Sequence, residues 1–394
     1  FDALNDARNM ERAIRAVRRA GKVAQGTICY TQSPVHSLEA FVGLAKRLAE
    51  LGADEICLKD MAGFLPPTEA KRLTEAIRRE VGLPVVLHTH SSSGMSTLAC
   101  LAAADAGAAA VDAALSPFSG GASQPPTESL VGAMRGTSTD PGLDLGALAE
   151  LADYFRGVLD HYRPLLDPRS LMTDPSILVH QVPGGMLSNL LAQLKGQDAL
   201  GRLSEVLEEI PRVRSDLGYP PLVTPTSQIV GIQAVLNVLL GHRYREITRE
   251  VRDYVKGLYG TPPGPIDPEL SRAVLGSDRP IAGRPADLLG PEFPKALEGV
   301  RALVPAADDA EALSYALFPM VYEAYRADRD RGITLEVVTA AALGVVGALR
   351  SDGRRTAPGV PEEISGGRPQ PPHPSAWVLA GRSGRPGSGR RGWA

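Results

Sequence analysis

Two hydrophobic rhythms alternate over the first 117 or so residues. Short unbroken apolar runs at Val23–Tyr30, Ile56–Leu58, Val85–Leu87 and Ala109–Leu115 read as strands buried on both faces. Between them the spacing turns helical. Met10, Ile14 and Val17 follow i, i+4, i+7. Leu38, Phe41, Val42, Ala45 and Leu48 make one stripe behind a candidate N-cap, Ser37, and Leu73 and Ile77 repeat the pattern with Pro67 near the helix start. The strands recur about every 25–30 residues, a βα unit length. Doubly buried strands alternating with helices predict a parallel sheet or barrel.

The texture changes from about residue 126. Leu145–Tyr162, Met186–Leu194, Ala199–Ile210, Ser227–Leu240 and Ile247–Leu258 read as helices, interrupted by Pro-Gly-Gly at 183–185 and Pro-Pro-Gly-Pro at 262–265. A further helical stretch covers about 308–349, with a break at Pro319. Its most apolar part, Val337–Leu349, is shorter than the roughly 20 residues a membrane span takes, and reads as a docked helix. After Ser351 the chain is crowded with Pro, Gly, Arg and Ser, a disordered composition. The expected division is 1–125 for the strand–helix region, 126–350 for the helical region and 351–394 for the tail.

Composition narrows the function classes. With 43% hydrophobic and 22% charged residues the chain reads as a soluble globular protein, and a net charge of −3 gives no electrostatic case for nucleic acid or an anionic membrane. Cys29, Cys57 and Cys100 each sit in an apolar run and form no CxxC pair, which predicts free buried thiols in a reducing, cytoplasmic compartment. The chain opens on Phe1 with no signal peptide pattern, as if inside an element.

The unusual polar residues stand where strands end: Tyr30-Thr31, Lys59-Asp60, His88-Thr-His90 and Ser116. That is the carboxyl face, where parallel α/β folds hold ligands. In a strand, residues i and i+2 point the same way, so His88 and His90 can converge on one metal ion. The spacing is equally that of two polar residues closing a strand. A lysine beside them, Lys59, opposes a cation as an ammonium. As a buried neutral amine it can instead add CO2 and become an anionic carbamate ligand, while the alternative is a salt bridge to Asp60 or a neighbour. Thr224, in Val223-Thr-Pro225, either belongs to the capping of the next helix with Thr226 and Ser227 or turns its hydroxyl to a cleft. The segment Ser116–Glu128 is a rim loop or an ordinary βα connection.

Taken in order, Phe1-Asp-Ala-Leu-Asn-Asp-Ala-Arg-Asn9, Gly26-Thr-Ile-Cys-Tyr-Thr31, Leu58-Lys-Asp-Met-Ala-Gly63, Leu87–His90, Ser123-Gln-Pro-Pro-Thr-Glu128, Pro183-Gly-Gly-Met-Leu-Ser-Asn189, Val223-Thr-Pro225 and Tyr259-Gly-Thr-Pro-Pro-Gly264 resemble the carboxyltransferase component of biotin-dependent enzymes. Its members include the B subunit of pyruvate carboxylase, the oxaloacetate decarboxylase alpha subunit and the transcarboxylase 5S subunit. The resemblance covers roughly 1–290 and implies an α/β fold, the C-terminal half of a TIM (β/α)8 barrel followed by a mainly helical funnel domain. It implies Lys59, as a carbamate, with His88 and His90 as ligands of Zn2+ or Mn2+, and Thr224 as proton carrier between biotin and pyruvate. The implied reaction is biotin-dependent carboxyl transfer between carboxybiotin and pyruvate or oxaloacetate.

The departures matter as much. The family's fourth ligand, an Asp on the first barrel strand, has no counterpart here, since the resemblance starts at the end of strand four. No biotinylation motif of the Ala-Met-Lys-Met kind is present, so biotin is expected on a separate chain or domain. Expected partners are a biotin carrier protein, a biotin carboxylase or a membrane decarboxylase subunit, a 2-keto acid and further copies of the chain. The tail beyond Trp377-Val-Leu-Ala-Gly-Arg382 matches nothing in the family. Two other readings stand beside this one: a metal-dependent acyl lyase or synthase barrel like hydroxymethylglutaryl-CoA lyase, and an inactive fragment. Lys59 and Thr224 favour carboxyl transfer.

Overall fold

The computed structural model describes residues 1–166 and 168–330. The strand–helix alternation runs α1 (Ala7–Arg19), β1 (Gln25–Cys29), α2 (Leu38–Glu50), β2 (Glu55–Asp60), α3 (Pro67–Val81), β3 (Val85–Thr89), α4 (Ser96–Asp105), β4 (Ala110–Val111) and α5 (Thr127–Met134). The strands make one parallel sheet in the order β1-β2-β3-β4. Its register sets Cys29 beside Lys59 and Lys59 beside His88, so the polar strand ends form a row across the sheet.

Local chemistry explains the boundaries. The Asp6 carboxylate accepts the Arg8 N–H at the start of α1, and Ser37 Oγ accepts the Ala40 N–H at 3.2 Å at the start of α2, as expected. Pro67 opens α3, and Gly82 closes it at φ +73°. Helix α4 lacks a periodic stripe, because Ser-Thr-Leu-Ala-Cys-Leu-Ala-Ala-Ala-Asp is small or apolar on every side. Alanine propensity and the burial of Ala99, Cys100 and Ala103 form it instead.

Strand β4 is a correction. The apolar run to Leu115 predicts a longer strand, but the ladder ends at Val111. Beyond it Ala114 turns to the returning chain, its N–H donating to Pro125 O and its carbonyl accepting the Thr127 N–H. The polar residue at this strand's end is therefore Asp112, not Ser116. The segment from Ser116 makes a short 3-10 turn to Phe118, then a loop, and becomes helix at Thr127.

The helical region contains α6 (Leu145–Tyr162), α7 (Ile177–His180), α8 (Gly184–Gly196), α9 (Leu203–Asp216), α10 (Thr226–Leu240), α11 (Arg249–Val255) and α12 (Pro268–Leu275). Helix α9 runs through Pro211 past its expected end, because Val206, Ile210, Val213 and Leu217 continue one buried stripe against α10. Helix α11 is shorter than expected. Thr248 caps it, and Gly257, at φ +82°, follows its end. One core gathers Ile28, Ile56, Leu58, Leu73, Ile77 and Leu87 around the sheet, and a second gathers Leu194, Ile210, Val230, Val251 and Tyr254 between the helices. The three cysteines are buried free thiols.

The chain divides into two compact units, Phe1–Pro291 and Glu292 onward. In the second, α13 (Phe293–Leu303), α14 (Asp309–Leu317) and α15 (Pro319–Asp330) enclose Val300, Ala307, Ala312 and Tyr322, with the expected break before Pro319. The expectations for Val337–Leu349 and for the 351–394 tail lie outside the described residues. Among the described residues no helix is long and apolar enough to cross a membrane.

Candidate metal and proton-transfer site

Three strand ends bring Lys59, His88 and His90 together. Lys59 Nζ lies 3.4 Å from His88 Nε2, and His88 Nε2 lies 3.2 Å from His90 Nε2. Strand alternation turns Asp60 to the other face, so the salt bridge to Lys59 does not form. Fully buried Asp60 instead accepts the N–H groups of Gly63, Phe64 and Leu65 and the Thr89 hydroxyl, at 2.8 to 3.2 Å. Burial pushes its carboxyl above the usual range, against the pull of these hydrogen bonds. The turn it holds passes under the end of β3. Gly63 sits there at φ +72°, where a Cβ would lie 2.5 Å from His90 O, so only glycine fits this approach.

The outer nitrogens of both imidazoles are occupied. His88 Nδ1 lies 2.8 Å from Asp112 Oδ2, and His90 Nδ1 lies 2.5 Å from Ala122 O. A carboxylate and a carbonyl only accept, so in the neutral rings both Nδ1 atoms carry the proton and the Nε2 lone pairs face each other. Burial, with His88 and then Lys59 as further causes, lowers the His90 pKa to about 4, so this ring is neutral at pH 7. Converging lone pairs repel unless a cation or a donor stands between them. Gln124 Nε2, 3.2 Å from His88 Nε2, supplies one donor. Two imidazole nitrogens on one tetrahedral ion stand about 3.3 Å apart, given Zn–N bonds of about 2.0–2.1 Å. The observed 3.2 Å fits a shared metal. Among the described residues no cluster of three His, Cys, Asp or Glu side chains suits a metal; the further polar side chains beside the pair are Lys59 and Gln124.

Thr224 is exposed and makes no hydrogen bond among the described residues; its peptide bond to Pro225 is cis. It lines a cavity of about 270 Å³ together with His90, Met61, Ser92, Ala122 and Asn189. The capping expected of its neighbours is absent: α10 has no side-chain cap, and Thr226 Oγ1 lies 2.5 Å from Pro221 O and 2.7 Å from Val223 O, folding the loop that presents Thr224. The structure thus joins Lys59, His88 and His90 in one cluster and places Thr224 on the same cavity as His90.

Sequence reasoning missed Asp112, Ala122 and Gln124. Asp112 had a signal, as the first polar residue after the apolar run ending at Val111. The other two act through a loop whose path no local pattern gives. Asp112→Asn keeps the shape but removes the charge that fixes the His88 tautomer. It is expected to weaken binding of an added divalent cation by about 10–100-fold, read by competition with a chromophoric chelator; unchanged affinity would separate Asp112 from the site.

The family described as "Conserved carboxylase domain" matches residues 177–354, and that described as "HMGL-like" matches 2–155. The B subunit of pyruvate carboxylase from Methanocaldococcus jannaschii is 54% identical over 322 residues, 82% of this chain and 57% of that protein. The methylmalonyl-CoA carboxyltransferase 5S subunit of Propionibacterium freudenreichii subsp. shermanii is 43% identical over 337 residues, 84% of this chain and 66% of that protein. The carboxyl transferase domain of Rhizobium etli pyruvate carboxylase, solved with pyruvate, superimposes with a TM-score of 0.79 at 30% identity, covering 86% of this chain and 59% of that one. The chain spans somewhat over half the length of the first of these relatives. Its parallel sheet is part of a TIM-barrel fold of the carboxyltransferase type, followed by a mainly helical region.

Proposed function

Since this chain belongs to the carboxyltransferase family of the biotin-dependent enzymes, we propose that it carries out carboxyl transfer between biotin and a 2-keto acid, pyruvate or oxaloacetate. The observation that supports this reading best is the convergence of the His88 and His90 Nε2 atoms beside the Lys59 amine, with His90 lining the cavity that also receives Thr224. His88, His90 and Lys59 would hold a divalent ion, zinc or manganese, which when bound favours the enolate of the keto acid electrostatically.

Lys59 takes part as a carbamate. The ammonium first loses a proton; the neutral amine nitrogen then bonds to the carbon of CO2 as one C=O π bond opens onto oxygen, and a second proton leaves, which turns a repelling ammonium into an anionic oxygen donor. Asp112 and Ala122 O hold the two imidazoles in the tautomer that leaves Nε2 free. Thr224 Oγ gives its proton to the biotin ring nitrogen as the N–C bond to the carboxyl group breaks and CO2 is released, and takes one from the methyl carbon of pyruvate, which then bonds to the carbon of that CO2. Its own protonation state is thereby restored. The same groups serve the opposite direction, in which oxaloacetate loses its carboxyl group. Biotin arrives on a carrier protein or domain, with a biotin carboxylase or a membrane decarboxylase subunit as the further partner.

The direct test gives the purified protein, with its partner subunits, oxaloacetate and free biotin and follows pyruvate by a coupled assay. Pyruvate release should require biotin, stop with a chelator and return with added metal. Release that ignores both biotin and chelator would remove the reading.

A further inference from the structure

We propose that Arg214 is a positioning residue that sets Thr224 against the histidine pair. The inference rests on the proton-transfer role proposed for Thr224, which Arg214 never touches. Arg214 lies on α9, is 6% exposed, and makes four hydrogen bonds to three separate segments. Its Nε donates to Pro220 O at 3.0 Å. One terminal nitrogen donates to Gln181 Oε1 at 2.7 Å, and the other reaches Thr31 Oγ1 at 2.7 Å and Gln32 O at 3.1 Å.

Every one of these acceptors is neutral, and no carboxylate pairs with Arg214 among the described residues. Burial lowers its pKa to about 10, which still leaves it charged at neutral pH. A buried cation without a counter-ion is a costly fastener where stability alone is at stake, since neutral groups hold segments together more cheaply. What the guanidinium offers is a rigid planar fork whose donors fix several partners at set angles.

Two of the three segments run directly into the cavity wall, and the third belongs to the sheet strand beside β2. Thr31 and Gln32 follow β1 at the carboxyl end of the sheet. Gln181 precedes Pro183, where α8 begins, and Pro183 and Asn189 line the cavity. Pro220 lies four residues before Thr224, at the base of its loop. Both cavity walls contributed by the helical region are therefore tied to the sheet through one side chain. A displacement of about 1 Å at reacting groups costs on the order of 10²-fold in rate, so loosening this tie should be read in turnover.

The test compares Arg214→Lys, Thr224→Ala and the double variant in the full chain with its partner subunits. A lysine keeps the charge but cannot span the four acceptors. Arg214→Lys should keep bound metal and the KM for the keto acid within about 2-fold while kcat falls about 10–100-fold. The double variant should be no slower than Thr224→Ala alone, and the amides of 222–224 should exchange faster in Arg214→Lys. Should Arg214→Lys not fold, Thr31→Val, which removes one acceptor, should show the same pattern with a smaller fall in kcat. Normal kcat in a folded Arg214→Lys beside an inactive Thr224→Ala would overturn the inference, as would losses that multiply in the double variant. A fully active Thr224→Ala would instead overturn the proposed role of Thr224, and unchanged amide exchange in Arg214→Lys would then overturn the tie on its own.

Discussion

Lys59→Ala is expected to leave a folded protein that binds almost no metal, with carboxyl transfer lost alongside. Loss of groups that merely orient a ligand weakens metal binding by about 10–100-fold, and loss of a ligand costs more. On the proposed reading Lys59 supplies the only anionic donor of the cluster, since His88 and His90 meet through neutral nitrogens. The fold should tolerate the change: the side chain is half-buried, and its other noted contact is with the Phe1 ring, 5.4 Å from Nζ. Lys59→Arg serves as the sharper comparison, because a guanidinium keeps the charge and adds no CO2. Metal stoichiometry by mass spectrometry decides the matter, and a Lys59→Ala protein with its full complement of metal would end the carbamate proposal.

Thr224→Ala is expected to part chemistry from binding. Bound metal and thermal stability should stay as they are, since Thr224 is exposed and makes no hydrogen bond among the described residues, and such surface changes cost within about 0.5 kcal/mol. Carboxyl transfer should fall by about 10²–10⁴-fold, the usual contribution of a positioned proton carrier. Thr224→Ser retains the hydroxyl and should recover most of the rate. Normal turnover in Thr224→Ala would take this residue out of the mechanism.

The row of strand ends was legible because each feature is local. An apolar run that stops at a polar residue marks the carboxyl end of a buried strand wherever it lies, and Lys59, His88 and His90 all declare themselves that way. The same rule misplaced the fourth member. Leu115 extends the apolar pattern past Val111, but the chain from Ala114 pairs with Pro125 and Thr127 rather than with β3, so the strand-end residue is Asp112. Helix α4 escaped periodicity because it is apolar all round. The Thr224 loop looked like a cap because Thr and Ser at a helix start usually are one. Here Thr226 spends its hydroxyl on Pro221 and Val223 carbonyls.

By itself the sequence determined the strand and helix order, the three candidate ligands and, through ordered motifs, the family. These follow from hydrophobic period, from alternation along a strand and from residue types at fixed spacing, all of which act over a few residues. Tertiary structure alone decided which nitrogen of each histidine is free, because that depends on Asp112 and Ala122, 24 and 32 residues away from their partners. It also decided that Thr224 shares a cavity with His90, and that a buried arginine on α9 ties their two regions together. Contacts of that range depend on how whole elements pack, and no local pattern encodes them.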